Sequence, residues 1–300
     1  MWTSYVPVGD ERKLRIRAIE WSRRGFPCVL VHGFGENSAV WSDLAPRLMP
    51  QFRVIAIDLR GHGDSDWDPL ARYDGHAGVS DLAQIVAEFG FERTILVGHS
   101  WGAEAAIRYA AKDPQKVAAL VIVDFGPDLA AAGVDEVLKG FSETPRIFAS
   151  TDEYVQWLTS RRPLAKQKLL EQFARHSLRR SAGGQYELKT DPALGTESAL
   201  SRLTAENGRY SFADLWTALP MIRCPCLVVR GAASGVLPAD VAARMVDRIS
   251  SGSRLQSIGA AGHAVMMDNP EEFSRSVVAF LTKAMTQEPQ AGRAPRAQTR

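Results

Sequence analysis

Ser100 stands in Val97-Gly98-His99-Ser100-Trp101-Gly102, between an apolar run and an Ala-rich amphipathic stretch. A Gly-x-Ser-x-Gly segment between a strand and a helix makes a nucleophile elbow. The turn is so tight that the serine backbone is strained, and Oγ is held at the carboxyl end of a sheet. The helix N-terminus beneath it favours negative charge. Without those flanks the pattern is weak, because Gly and Ser are common. A serine so placed attacks carbonyl carbon, and that chemistry needs two further parts. The first is a pair of N–H donors for the developing oxyanion, together worth on the order of several kcal/mol. The Trp101 amide is one candidate. The other is the Phe34 amide, presented by the glycine-flanked turn His32-Gly33-Phe34-Gly35. His32 reads as a brace for this loop rather than as a catalytic group. The second part is a general base. His263, in Gly262-His263, follows the last strand and precedes the last helix, which suits the chain order Ser…acid…His.

The elements that must position these residues are legible from periodicity. Leu14–Trp21 reads as a strand pairing with Tyr5–Val8 across a Gly9-Asp10 turn. Cys28–Val31, Phe52–Ile57, Thr94–Val97 and Val117–Val123 are compact apolar strands, with helices expected over Ser38–Leu48, around Val79–Phe89 and over Trp101–Ala111. From about Asp128 to Trp216 strong β runs stop and the segment looks helical. The rhythm then returns, with strands at Cys226–Val229 and Arg254–Ile258 and helices at Pro238–Ile249 and Pro270–Ala284. Asn269 and Pro270 suit the cap and first position of that last helix. An α/β core (1–127 and 217–286) interrupted by a helical insertion (128–216) is the simplest account. The tail 287–300 has no periodicity and is expected to be disordered.

Composition narrows the function classes. The 300 residues are 45% hydrophobic and 23% charged, an ordinary globular balance with material for a sizeable core. A net charge of +2 and a pI near 8.5 are too balanced for nucleic-acid binding as the main activity. No apolar run approaches the ~20 residues of a membrane span, and the N-terminus has no signal-peptide pattern. Cys28, Cys224 and Cys226 are too few and too odd in number for a disulfide framework. They read as buried thiols of a cytoplasmic protein.

Taken together, these motifs resemble the α/β-hydrolase fold family. The carriers are H-G-F-G after the third strand, Asp58-Leu-Arg-Gly-His-Gly-Asp-Ser65 after the fourth, G-H-S-W-G after the fifth and G-H near the end. The resemblance covers about residues 5–127 and 217–285. It implies a mainly parallel eight-stranded sheet flanked by helices, with a helical cap inserted after the sixth strand. It also implies that Asp58 and His62 organise a loop. The family usually carries its triad acid after the seventh strand, three residues beyond a Gly. Here that stretch is Gly231-Ala232-Ala233-Ser234, and a hydroxyl cannot supply the negative charge that supports an imidazolium. Asp124, ending the sixth strand, is the nearest alternative, with a strand-end cap as its other reading. That placement resembles a subgroup with R-G-x-x-S-x-x-L, matched by Arg230–Leu237.

The expected activity is hydrolysis of a small-molecule carboxylic ester or lactone through an acyl-enzyme, with no metal or organic cofactor. An alternative is C–C or amide bond hydrolysis of a small acidic compound. Cap residues Arg161 and Arg162 would clamp its carboxylate, or else belong to a solvated basic face with Lys166, Lys168 and Arg175. A non-catalytic ligand receptor on a hydrolase scaffold is the alternative of another class. Trp157, Trp216, Tyr154, Phe141 and Phe148 are candidates to line the substrate site or to fill the cap's own core.

Overall fold

Every residue of Val117–Val123 is buried, and so is every residue of Thr94–His99. Such unbroken burial belongs to central strands covered by helices on both faces. In the computed structural model, which describes residues 1–196, 205–206, 208–249 and 252–287, these two strands lie at the middle of an eight-stranded sheet. Its strands are β1 (Trp2–Val8), β2 (Leu14–Glu20), β3 (Phe26–Val31), β4 (Phe52–Ile57), β5 (Thr94–His99), β6 (Val117–Val123), β7 (Cys226–Gly231) and β8 (Arg254–Ile258). The spatial order is β1-β2-β4-β3-β5-β6-β7-β8. Only β2 runs antiparallel to its neighbours. The rest pair in parallel.

The helices are α1 (Leu44–Leu48), α2 (Gly75–Glu88), α3 (Trp101–Lys112), α4 (Ala131–Glu143) and α5 (Thr151–Arg161). They continue with α6 (Gln167–Ser177), α7 (Ala213–Ala218), α8 (Ala239–Arg248), α9 (Val265–Asp268) and α10 (Pro270–Gln287). Alternate strand residues divide the core in two. Val31, Ile57, Leu96, Ile122 and Val228 face α2, α3 and α8. Leu30, Ala56, Val97, Val121 and Val229 face α1 and α10. Carboxyl ends of six parallel strands therefore converge on one edge, where loops after β3, β5, β6, β7 and β8 meet.

Two local expectations are corrected. Ser38–Leu48 is not one helix but a 3₁₀ turn at Ser38–Trp41, capped by Asn37, followed by the single-turn α1. Residues 128–216 are not purely helical either. Besides α4, α5 and α6 they hold two small three-stranded sheets. One joins Ile147–Phe148, Tyr186–Leu188 and Leu178–Arg180; the other joins Ala205–Glu206, Arg209–Ser211 and Asp128–Ala130. Strands of two or three residues are too short to show a period of two. The expected disorder of 287–300 falls, from 288 onward, outside the described residues. No helix among the described residues is long and apolar enough to cross a membrane. The three cysteines are free and buried, as expected.

Candidate active site

Ser100 connects β5 directly to α3 with φ 50° and ψ −120°. Its amide donates to Val123 O at 3.1 Å, tying it to the end of β6. A β-carbon on Gly98 would lie 2.5 Å from Gly102 O, and one on Gly102 would lie 2.3 Å from Val31 O. Only glycine at both positions lets strand and helix approach closely enough to hold the turn, which is the packing reason for the motif. A strained non-glycine backbone held this way is a recurrent mark of functional residues.

Asp124 repeats the device one strand over. It leaves β6 with φ 50°, is fully buried, and its amide donates to Val229 O of β7 at 2.8 Å. One carboxylate oxygen, Oδ1, accepts from the Gly231 amide at 3.1 Å. The other, Oδ2, lies 2.8 Å from His263 Nδ1 and also accepts from Ser234 Oγ. Ser234 Oγ in turn accepts from the Val236 amide at 3.1 Å. Arg230 ties its own loop by donating to the carbonyls of Leu237, Ala232 and Ser234. The Arg230–Leu237 stretch thus builds a loop that presents a hydroxyl to Asp124. With Nδ1 donating to a carboxylate, His263 keeps Nε2 as an acceptor, the tautomer that a general base needs.

Ser100 and His263 line one cavity of about 320 Å³. Phe34 lies on its wall, its ring 4.7 Å from those of both Trp101 and Phe141. The neighbouring amides are committed: Gly33 N–H to Glu36 Oε2, and Gly35 N–H to His62 Nε2. The Phe34 amide between them has no acceptor among the described residues, the condition a ligand oxygen requires. Trp101 is the first residue of α3, so its amide belongs to the N-terminal end of that helix. His32 braces the turn as expected, accepting from Leu59 N–H at 2.9 Å and facing Gly33 O with Nδ1. Asp58 accepts from the amides of Ser38 and Asp64, so it organises the loop and stays away from Ser100. Burial, reinforced by neighbouring His32, pushes His62 down to about 3, so it is a neutral acceptor.

Trp157, Arg161 and Arg162 all line the cavity, as do Phe141 and Tyr154. Phe148 instead packs in the interior against Tyr154, and Trp216 lies elsewhere, beneath Arg244 and bonded to Asp128. Arg161 stacks on Trp157 and pairs with Glu143 and Glu136. Arg162 reaches Glu36 Oε1 at 3.6 Å. Arg146, which also lines the cavity, donates to the carbonyls of Leu188 and Thr190. Asp268 does not reach His263; it accepts from Gly262 N–H at 2.8 Å and steadies the loop from below. Sequence reasoning missed Glu36, His99 and Arg146. For Glu36 and His99 the available signal was an ionisable residue inside an otherwise apolar strand-to-turn stretch.

The family model described as alpha/beta hydrolase fold matches residues 27–270. The chain belongs to the α/β-hydrolase fold family and is a hydrolase of that fold. It is 28% identical over 250 residues to a 2-(acetamidomethylene)succinate hydrolase of Mesorhizobium japonicum, covering 83% of this chain and 86% of that one. It is 31% identical over 257 residues to a pimeloyl-[acyl-carrier protein] methyl ester esterase of Pectobacterium carotovorum, covering 84% and 92%. Among solved structures it resembles an E-2-(acetamidomethylene)succinate hydrolase, with a TM-score of 0.82, 26% identity and coverage of 94% and 99%.

Proposed function

We propose that the protein is a serine hydrolase that cleaves a small carboxylic ester or lactone through an acyl-enzyme. The carrying observation is the contact of His263 Nδ1 with buried Asp124 Oδ2 beside an elbow serine in the same cavity. Ser100 Oγ attacks the carbonyl carbon and gives its proton to His263 Nε2. The amides of Phe34 and Trp101 hold the oxyanion, and His263 returns the proton to the leaving group. His263 then takes a proton from water, whose oxygen attacks the acyl carbon; the acyl–Oγ bond breaks and His263 gives that proton to Ser100 Oγ. Asp124 stabilises the imidazolium at each stage. Residues 128–216 act as the cap, since α4 and α5 carry Phe141, Trp157 and Arg161 on the cavity wall. The substrate is a small molecule, and three buried thiols favour the cytoplasm.

A second reading is hydrolysis of an amide or C–C bond in a small acidic compound. It is favoured by Arg146, Arg161 and Arg162, which all line the cavity, and by the relative whose name specifies a succinate. A fluorophosphonate probe tests the nucleophile: stoichiometric labelling of Ser100 is expected, and no labelling of the folded protein would overturn the acyl-enzyme reading. Paired neutral p-nitrophenyl esters and dicarboxylate half-amides then separate the two substrate readings by kcat/KM.

A further inference from the structure

A neutral imidazole has one N–H and one acceptor nitrogen, so its partners report its charge. His32 has a carbonyl at Nδ1 and an amide N–H at Nε2. His62 is the same, with Arg60 O at one nitrogen and Gly35 N–H at the other. Both rings are satisfied only when neutral. His99 differs. Its Nδ1 lies 2.8 Å from Glu36 Oε2 and its Nε2 lies 2.9 Å from His263 O, so acceptors stand at both nitrogens.

We propose that Glu36 and His99 form a standing carboxylate–imidazolium pair that positions the oxyanion turn and the base loop around Ser100. This rests on the reading that Ser100 and His263 perform the chemistry. The pair spans the site. Glu36 Oε2 takes the Gly33 N–H at 2.9 Å, one residue before the Phe34 amide. The opposite end, His99 Nε2–H, holds the backbone carbonyl of the base itself. Both side chains are almost fully buried, at 3% and 1% exposure, where either charge alone would be costly. Arg162 adds a third charge from the cap side.

The titratable groups facing His99 are Glu36 from the turn after β3, Asp124 from the end of β6, Asp268 from α9, and the imidazoles of His263 and His32. Burial opposes ionisation of both partners, yet mutual attraction and hydrogen bonding win. Glu36 is held well below the usual carboxylate range, and His99 is raised above the usual imidazole value. Neither group touches the reacting atoms, so both are positioning residues. Misplacement of a catalytic group by 1 Å costs about 10²-fold in rate.

Nitrogen-15 histidine spectra of the full chain at neutral pH are expected to show His99 protonated on both ring nitrogens and His62 on one. With p-nitrophenyl butyrate, Glu36→Gln is expected to lower kcat about 10²-fold while KM stays within about threefold, and Glu36→Asp to recover at least about tenfold of that loss. A singly protonated His99 in the wild type overturns the proposal, as does Glu36→Gln turnover within twofold of wild type. Should Glu36→Gln not fold, the wild-type spectrum and the Glu36→Asp kinetics decide. Failure of Ser100 to react with a fluorophosphonate would instead sink the serine-nucleophile reading, and the spectrum would still decide the pair.

Discussion

Ser234 Oγ donates to Asp124 Oδ2, the same carboxylate oxygen that faces His263 Nδ1. The position where the family usually keeps its acid therefore meets, through its hydroxyl, the carboxylate oxygen that faces His263. Asp124→Asn is expected to leave the fold intact and to lower kcat by about 10⁴, since an amide favours the wrong His263 tautomer, as in serine protease triads. Asp124→Asn with Ser234→Asp should recover part of that loss. Steady-state kinetics of the single and double variants check both statements, and wild-type turnover in Asp124→Asn would remove Asp124 from the triad.

Removing the Ser100 hydroxyl deletes the proposed nucleophile and little else, because Gly98, Gly102 and the backbone bond to Val123 hold the turn. Ser100→Ala is expected to lose more than about a thousandfold in kcat at unchanged thermal stability, in line with triad knockouts. Near-full activity in the purified variant would refute Ser100 as the nucleophile.

The sequence disclosed what depends on local pattern. β6 is seven consecutive apolar residues, so both its ends were legible, and the elbow announces itself through glycines that steric contact demands. Ser234, standing where a carboxylate is usual, was legible as a departure and directed attention to Asp124, whose Oδ2 the structure places against His263 Nδ1. Hidden were relationships that only folding creates. Glu36 and His99 are 63 residues apart, and each alone resembles an ordinary loop residue. In sequence Arg161 and Arg162 read either as a carboxylate clamp or as part of a solvated basic face, yet in the fold Arg161 finds Glu143, Arg162 finds Glu36 and, further along, Arg179 finds Glu187.

Those partners separate two arginines that the sequence treated alike. Arg161 pairs with acids on α4 and stacks on Trp157, whereas Arg162 faces a buried carboxylate bound to the elbow. If the substrate is an anion, Arg161→Ala should raise KM for an acidic ester about tenfold more than for a neutral one. Arg162→Ala should lower kcat for both, because Glu36 loses a counter-charge. Equal effects of the two variants on both substrates would contradict this division.

His62 makes stability depend on pH in a calculable direction. Burial, with the neighbouring His32, pushes its folded value down to about 3, while an unfolded histidine titrates near ~6.5. Below ~6.5 the unfolded chain takes up a proton that the folded chain refuses, so acidification favours unfolding. The slope from this one residue is about 1.4 kcal/mol per pH unit until the folded value is reached. His99, whose folded value is raised, has the opposite sign: its contribution is complete below ~6.5 and is lost as pH rises through its folded value. The two effects therefore occupy different pH windows and can be read apart. Relative to His62→Asn, which cannot titrate there, the wild type should lose about 2 kcal/mol between pH 6.5 and 5. Urea unfolding of both proteins across that range measures the difference. A gap that stays constant with pH would mean that His62 is protonated in the folded state and does not accept the Gly35 amide.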